Sequence, residues 1–426
     1  MSLYRYAIIS CGITILITYL YTKFNILPPV MDGTSALEFR PVSLKYKEFI
    51  KANADLGSSL SIFYKNANVL DIHGGYMDVR FMLPWTLDTI TQSFVLSSAC
   101  IPLAFATLIG RNLIQMNDSV RDFLPWFSVP DVTIGDLLTH RAGFPYFLDK
   151  ISLTSWRDDY KSVMANISSQ VPAVLPKKRV WHYHSLALIA DSIVRVVDIK
   201  RRTLGHFFME ELVWPSGIDL LIGIPRSQFY RLARTYHAGW LHVWSAIARF
   251  DFKYLWTNLK SNHWMPYGGK REKTLHVFSD FNLLFNSNPD LLEIPLASSN
   301  MFSDARNLAR LFHSLLVENQ SRQAFSSTAL AWLLEPLNDI AYDPVLQRPL
   351  ALTAAGLMVS VSPEGNNIYG MWDDIMGQFV FVDPKRHLTV AYMTNHAHGR
   401  SLDRDPIIHA LLNTIYSCLP KLQQTE

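Results

Sequence analysis

The sequence has little charge and little cysteine. Only 18% of its residues are charged, and the 39 basic side chains nearly balance the 36 acidic ones. No basic stripe stands out, so the composition gives no case for nucleic-acid binding. The three cysteines, Cys11, Cys100 and Cys418, form no C-x-x-C pair, no disulfide framework and no zinc-ligand spacing. We therefore expect neither a metal nor a cofactor.

Apolar residues, in contrast, are abundant. They make up 49% of the chain, which predicts a large folded core. With 426 residues the chain exceeds the usual domain of roughly 100–200 residues, although one large domain with an insertion also fits.

An uncharged run near the N-terminus, YAIISCGITILITYLY at 6–21, approaches the ~17–20 residues that cross a bilayer as a helix. We predict a transmembrane anchor or signal segment at residues 1–24, and the bulky residues that follow favour an uncleaved anchor. The Pro-Pro and Gly of residues 25–42 predict a linker. The chain would then be a single-pass membrane protein, tethered through residues 6–21, with its main domain (43–426) luminal or extracellular.

Short strand-like segments occur at both ends of the main domain. Two of them flank a tight turn near its start, and three more follow one another near its end. The predicted strands are SLSIFY (59–64), VLDIHGGYM (69–77), LMVSVS (357–362), QFVFVD (378–383) and LTVAYMTN (388–395). We predict one antiparallel sheet built from both ends of the chain.

Between these strand clusters the apolar residues recur at helical spacing, which predicts an inserted and mainly helical region. A last helix is predicted after Asp405, a candidate N-cap, with Pro406 at its first position. Helices inserted into such a sheet give an α+β architecture with a cleft where the two parts meet. The aromatic-rich stretch 230–290 is compatible with a lid, a partner surface or a satellite core.

Four motif-like segments follow one another along the chain: FVLSSAC (94–100), DSVRDFLPWFSVPDVTIGDLLTHRAGFP (118–145), WHYHSLALIADSIV (181–194) and GQFVFVDPKRHLTVAYMTN (377–395). In this order they resemble the serine β-lactamase and penicillin-binding-protein-like hydrolases, in their class C and esterase branch. The resemblance covers about residues 43–418, and LLTHRAGFP is its most specific part. It implies a β-lactamase/transpeptidase-like fold whose cleft takes a small acyl or peptide-like ligand.

The first motif of that family is S-x-x-K, in which the lysine lies one helical turn after the nucleophilic serine and can accept its proton. The matching positions in this chain are Ser97 and Cys100, so a thiol stands where the base belongs. No serine of the 426 residues is followed by a lysine three positions later.

The second motif, Y-x-N, is half kept. The resemblance places Tyr183, a candidate proton carrier, in the tyrosine position and Ser185 in the asparagine position. A core aromatic residue at a helix start is the structural alternative for Tyr183.

The third motif, K-T-G or H-x-G, is lost. In one register Met371 and Asp373 replace the basic residue and the glycine, and in the other Trp372 and Asp374 do. Both the cation and the bare backbone that lets a substrate approach are missing.

Three interpretations follow from these motifs. The leading one is a membrane-tethered pseudoenzyme that binds a ligand or acts as an interaction module. The second is a divergent serine hydrolase or esterase that uses Ser97 with Tyr183. In the third, Cys100 is the nucleophile, because a thiol in the first turn of a helix can have a lowered pKa. Alternatively, Cys100 only fills the space of the lysine as a buried apolar residue.

Overall fold

The structure is a computed structural model. It describes residues 9–17, 20, 27–51, 55–237, 288–318, 325–346, 348–374, 376–397, 402 and 405–420. Most of the aromatic-rich stretch 230–290 lies outside these ranges.

A single large antiparallel sheet joins the two ends of the chain, as the sequence predicts. Its path runs β1-β3-β2-β14-β13-β12-β11, and β4 pairs with β3. These strands are β1 (Met31–Ser35), β2 (Gly57–Tyr64), β3 (Ala67–Asp78), β4 (Leu83–Pro84), β11 (Met358–Val361), β12 (Asn367–Trp372), β13 (Phe379–Asp383) and β14 (Leu388–Thr394). The ends of the chain meet where β14 pairs with β2.

Further short strands form smaller sheets that are separate from the large one. A three-stranded sheet has the order β5-β8-β6, and two further pairs are β9 with β10 and β7 with β15. The strands are β5 (Thr91–Gln92), β6 (Leu221–Ile222), β7 (Tyr236–His237), β8 (Met301–Ser303), β9 (Ala341–Asp343), β10 (Arg348–Leu350) and β15 (His396–Ala397).

Helices fill the region between the strand clusters, and this confirms the α+β architecture. The α-helices are α1 (Arg40–Lys51), α2 (Cys100–Gly110), α3 (Val120–Phe123), α4 (Ile134–Leu138), α5 (Leu153–Asp158), α6 (Tyr160–Ser169), α7 (Ser185–Val197), α8 (Leu204–Phe208), α9 (Pro289–Leu292), α10 (Ala305–Phe312), α11 (Ser327–Leu334) and α12 (Pro406–Ser417). Shorter 3₁₀ helices lie at Leu37–Phe39, Phe94–Ala99, Trp214–Ser216, Arg226–Arg231 and Pro384–Arg386, and π-helical turns at Met209–Val213 and His313–Val317.

Helix α2 forms the centre of the helical region. All its residues except the last are buried, and it packs against α8 and α11. A helix that is apolar on every side is expected to lie inside a core rather than at a surface. The 3₁₀ helix Phe94–Ala99 directly precedes α2 and packs against β12, so the N-terminal end of α2 meets the sheet.

The C-terminal helix agrees with its predicted start. Helix α12 begins at Pro406, and the side chain of Asp405 accepts a hydrogen bond from the backbone N–H of Ile408 at 3.1 Å. This helix packs on α1, which in turn packs on β1 and β3. On another part of the sheet, α10 packs against β2, β13 and β14.

The N-terminal segments differ from their prediction. Strand β1 lies inside the predicted linker 25–42 and pairs with β3 from Met31 to Ser35, because its extended backbone completes the edge of the sheet. Among the residues that the structure describes, no helix is long and apolar enough to cross a bilayer. Residues 6–8, 18, 19 and 21 of the predicted anchor lie outside the described ranges.

The membrane prediction is therefore wrong. Tethering through residues 6–21, the single-pass membrane location and the luminal or extracellular placement all depended on a helix that spans the bilayer. A spanning helix needs about 20 predominantly apolar residues. The described part of the chain contains no such helix.

Candidate active site

The segment FVLSSAC enters the core through a strained turn. Strand β5 leads into the 3₁₀ helix Phe94–Ala99, and Phe94 has a φ of 39°. A positive φ is unfavourable for a bulky side chain, and such strain is concentrated at functional sites. The strain here marks the residues just after Phe94 as a candidate site.

The two adjacent serines of this segment have different surroundings. Ser97 is fully buried, and its Oγ accepts a hydrogen bond from the backbone N–H of Met301 at 3.1 Å. Ser98 keeps 6% of its surface exposed, and none of the described residues hydrogen-bonds to its Oγ. Successive side chains of a 3₁₀ helix point about 120° apart, so the two hydroxyls face different neighbours. Of these two serines, only Ser98 keeps any exposed surface, and only its hydroxyl has no hydrogen-bond partner among the described residues.

Cys100 lies on the Ser97 side of the helix. Its Sγ donates to the carbonyl of Ser97 at 2.8 Å and to that of Ala297 at 3.3 Å. The side chain is buried, and burial raises the pKa of the Cys100 thiol far above its usual range. A nucleophilic cysteine requires the opposite shift. The structure thus speaks against Cys100 as the nucleophile and for its role as a small buried residue.

Ser98 has its own neighbour three residues later. Ile101 follows Ser98 at the spacing of the S-x-x-K motif and is completely buried. Residues three apart on such a helix lie on one face. On this face an apolar side chain therefore lies one turn after Ser98.

Two buried histidines hold the segment that leads to Tyr183. The backbone N–H of His182 donates to Nδ1 of His140 at 3.1 Å, and that of Phe144 donates to Nε2 of His182 at 3.0 Å. Burial lowers the pKa of both imidazoles, that of His182 to about 4. The His140 ring also packs on Trp181 at 3.9 Å between centroids. These neutral rings fix the THRAGFP turn against the chain just before Tyr183.

Tyr183 itself is buried and lies edge-on to Trp181 at 6.2 Å between ring centroids. Ser185, in the asparagine position of the second motif, is fully buried and donates its hydroxyl to the carbonyl of Phe144. This bond ties the start of α7 to the turn that the histidines hold. Ser185 therefore has a structural partner in the turn.

A short segment, Ala297–Met301, connects the first motif with the second. It contacts Cys100 and Ser97 through the carbonyl of Ala297 and the N–H of Met301. The Oγ of Ser298 lies 2.9 Å from Nδ1 of His184, the residue after Tyr183. Both FVLSSAC and WHYHS therefore contact the segment Ala297–Met301.

Asp373, in the third motif, hydrogen-bonds to the segment of the first motif. An oxygen of this buried carboxylate accepts a hydrogen bond from the backbone N–H of Val95 at 3.4 Å. The neighbouring Asp374 instead forms a buried ion pair with Arg348 at 3.0 Å, and the guanidinium lies over the ring of Trp372 at 5.6 Å. A cation is therefore present behind the third motif, although it comes from β10 and the sequence motif does not reveal it.

Segments of the three predicted motifs therefore lie near one another, and Ser98 is a candidate nucleophile that the sequence analysis did not single out. Ser98 is the second serine of LSSAC, but the motif alignment placed Ser97 in the position of the nucleophile. A serine hydroxyl at the start of a buried helix can act as an acyl acceptor when a base takes its proton. In the described part of the chain no group of three or more His, Cys, Asp or Glu side chains could hold a metal ion.

The sequence is similar to one known family and to a relative within it. The profile of the Beta-lactamase family matches residues 46–414. The chain is 25% identical over 175 residues to "Esterase/beta-lactamase LipL" of Mycobacterium tuberculosis (strain ATCC 25618 / H37Rv). That match covers 40% of this chain and 39% of the relative, so the chain spans about two fifths of the relative's length.

Comparison of the structure gives the same picture of the fold. A family VIII carboxylesterase has a TM-score of 0.74 at 20% identity, and covers 91% of this chain and 100% of its own. A penicillin-binding protein homologue from Caulobacter crescentus has a TM-score of 0.74 at 22% identity, with the same two coverages. EstA from Arthrobacter nitroguajacolicus Rue61a has a TM-score of 0.72 at 16% identity, and covers 91% and 98%.

These comparisons overturn the prediction of a pseudoenzyme. The curated relative and the carboxylesterase structure both carry the names of esterases. The prediction was drawn from the absence of any serine with a lysine three positions later and from the loss of the third motif. It assigned the nucleophile position to Ser97 and did not consider Ser98 for it.

Proposed function

Because this chain belongs to the beta-lactamase family, we propose that it is a serine hydrolase that cleaves carboxylic esters through an acyl-serine. Family membership agrees with the resemblance that the motifs indicate. The observation that carries the proposal is the hydroxyl of Ser98 at the start of a buried helix. This residue keeps 6% of its surface exposed, and none of the described residues hydrogen-bonds to its Oγ. The esterase names of the relatives support the choice of substrate class.

The nucleophile in this proposal is Ser98, in preference to Ser97. A hydroxyl that already accepts a backbone hydrogen bond inside the core must lose that bond before it can reach a substrate. Breaking such a buried bond leaves an unsatisfied donor, which costs about 1–3 kcal/mol. Ser98 has no such bond to break among the described residues.

In the acylation step, the Oγ of Ser98 forms a bond to the acyl carbon and the ester C–O bond breaks. The alcohol leaves with a proton that Tyr183 relays from Ser98. Water then attacks the acyl-serine, the acid leaves, and the proton returns to Ser98 by the same route. Tyr183 takes this role because Ile101, one turn after Ser98, has no group that can accept a proton.

The test is hydrolysis of 4-nitrophenyl acetate by the full chain. We expect Ser98→Ala to reduce the rate to that of buffer, and Tyr183→Phe to lower kcat about 10²-fold, the size of a lost acid–base group. Ser97→Ala is the matched control and should stay within about threefold of the wild type per folded molecule. Wild-type activity that persists in Ser98→Ala would contradict the proposal.

A further inference from the structure

We propose that the hairpin formed by β3 and β4 binds the surface of a lipid layer through its apolar end. This end consists of Phe81, Met82, Leu83 and Pro84, which we call the apolar tip. It comprises the turn after β3 together with β4. The inference goes beyond the proposed function and does not depend on it. It concerns peripheral contact with one face of a lipid layer, which requires no helix that spans it.

The exposure of the apolar tip is the first observation. Its four consecutive residues are all exposed to solvent. Phe81 exposes 70% of its surface, Met82 47% and Leu83 46%. A run of exposed apolar residues of this length is not expected in a folded chain unless it serves a function. The apolar tip is therefore a candidate interaction surface.

The base of the hairpin is held in place by polar contacts. The carboxylate of Asp78 accepts from Nε of Arg234 at 3.0 Å and from the hydroxyl of Tyr236 at 2.7 Å. Trp85, directly after the apolar tip, is buried, and its backbone N–H donates to the carbonyl of Gly75 at 2.9 Å. Because the base is fixed, the apolar tip loses little conformational freedom when it enters a partner.

The backbone of the turn is largely hydrogen-bonded within the chain. The N–H of Val79 donates to the hydroxyl of Tyr236 at 2.8 Å, and that of Met82 donates to the carbonyl of Val79 at 3.3 Å. The N–H of Arg80 donates to Oδ1 of Asp78 at 2.9 Å. A protein–protein interface uses about one hydrogen bond per 100–200 Å². A lipid layer instead requires that polar backbone groups be satisfied internally, and these three N–H groups meet that requirement.

The size of the apolar tip favours a lipid layer over a second copy of the chain. One aromatic and two aliphatic side chains, each exposed by about half or more, present roughly 300–400 Å². A stable protein–protein interface buries about 800 Å² on each partner. The apolar tip alone is therefore too small to hold a dimer together. Binding to a lipid layer increases with the apolar area that enters it and has no such minimum.

Arg80 adds a charge that matches anionic headgroups. It directly precedes Phe81, its side chain is exposed, and it forms no ion pair with any of the described residues. The nearest exposed carboxylate along the chain is that of Asp88, beyond the buried Trp85. Lipid phosphates lie at the surface of the layer, next to the acyl region that apolar side chains enter. With the apolar tip in the acyl region, Arg80 lies at the level of the headgroups and favours anionic lipid.

The experiment is co-sedimentation of the full chain with lipid vesicles. Vesicles of phosphatidylcholine and phosphatidylserine in a ratio of about three to one are compared with phosphatidylcholine alone. We expect wild type to bind both and to prefer the anionic vesicles. The double variant Phe81→Ser/Leu83→Ser should bind both about 100-fold more weakly, or about 10-fold for each side chain withdrawn from lipid. Arg80→Gln should weaken binding to the anionic vesicles alone, by about fivefold.

The matched control is the double variant Ile340→Ser/Tyr342→Ser. These two side chains are 68% and 65% exposed near the β9–β10 hairpin, so the control removes a similar exposed apolar area from another part of the surface. Its binding to both vesicles should equal that of wild type. Equal losses in the two double variants would show that binding is not specific to the apolar tip and would overturn the inference.

Two further results would also overturn it. One is wild type that does not sediment with either kind of vesicle. The other is a dimer, seen by sedimentation velocity without lipid, that Phe81→Ser/Leu83→Ser abolishes, because the partner would then be a second copy. Hydrolysis of 4-nitrophenyl acetate by the same proteins separates this inference from the proposed function. Inactive wild type that binds vesicles as expected would contradict the proposed function alone.

Discussion

The backbone N–H of Met301 donates to the Oγ of Ser97 over 3.1 Å, and this bond separates the roles of two neighbouring serines. Through this bond the side chain of Ser97 links the 3₁₀ helix Phe94–Ala99 to β8. It leaves the hydroxyl of Ser98 as the one to which none of the described residues hydrogen-bonds.

The first prediction concerns the stability that this bond provides. Replacing Ser97 by alanine removes the acceptor of a buried N–H, so the free energy of unfolding should fall by about 1–3 kcal/mol. Urea unfolding of wild type, Ser97→Ala and Ser98→Ala measures this. Ser98→Ala breaks no hydrogen bond of the described residues and should be close to wild type. Equal stabilities of all three proteins would contradict the assignment.

The second prediction concerns thiol reactivity. Cys11 is exposed, Cys418 is partly buried, and burial raises the pKa of both Cys418 and Cys100. Because the thiolate is the reacting form, iodoacetamide at pH 7 should modify Cys11 first, Cys418 more slowly, and Cys100 only after unfolding. Peptide mapping over time gives the order. Modification of native Cys100 as fast as that of Cys11 would restore the cysteine nucleophile.

The third prediction concerns acid sensitivity. Burial holds the pKa of His182 at about 4 in the folded chain, against about 6.5 when unfolded, so the unfolded chain binds more protons between these values. Stability is then complete above pH 6.5 and falls as the pH drops toward 4, by up to about 3 kcal/mol for this residue. His182→Gln retains a donor and an acceptor but has no titrating group.

We expect urea unfolding at pH 7, 6 and 5 to show a smaller loss of stability for His182→Gln than for wild type. Titrating groups that do not contact His182 affect both proteins alike and cancel in the comparison. The pKa of His140 is lowered by burial and also by the charge of His182, so the measured difference is that of the coupled pair. If the free energy of unfolding changes with pH equally in the two proteins, His182 does not contribute to the acid sensitivity.

The fourth prediction tests which of the two adjacent serines, Ser97 or Ser98, is the nucleophile. Ile101→Lys places an amine one turn after Ser98, and it should raise ester hydrolysis by about 10²-fold or more, the typical gain from a general base. Cys100→Lys is the matched comparison, because it places the amine against the carbonyls of Ser97 and Ala297. It should destabilise the chain without a gain in rate. A gain from Cys100→Lys alone would return the nucleophile to Ser97.

Much of the fold could be predicted because local patterns and tertiary contacts agree. Alternating apolar residues gave β2, β3, β13 and β14, and Asp405 with Pro406 gave the start of α12. Strand β1 was missed because MDGTS has little strand propensity and is ordered by its pairing with β3. The apolar N-terminal run was judged by its composition and its length in sequence, and its described part forms no helix that is long enough to cross a bilayer.

The site was predicted only in part, for a geometric reason. The S-x-x-K spacing cannot show which of two adjacent serines faces a substrate, because neither Ser97 nor Ser98 is followed by a lysine three positions later. The donor that commits Ser97 lies 204 positions away at Met301. Likewise, Arg348 reaches Asp374 from another strand, so no motif around the third segment could indicate it.

The most direct test of the account is to identify the residue that carries a covalent acyl-type adduct. Folded wild-type protein is treated with a fluorophosphonate probe, and the modified peptide is sequenced by mass spectrometry. The account predicts one adduct, on the Oγ of Ser98, that is absent from Ser98→Ala and still forms in Ser97→Ala. An adduct on Ser97, or unmodified protein after exhaustive treatment, would contradict it.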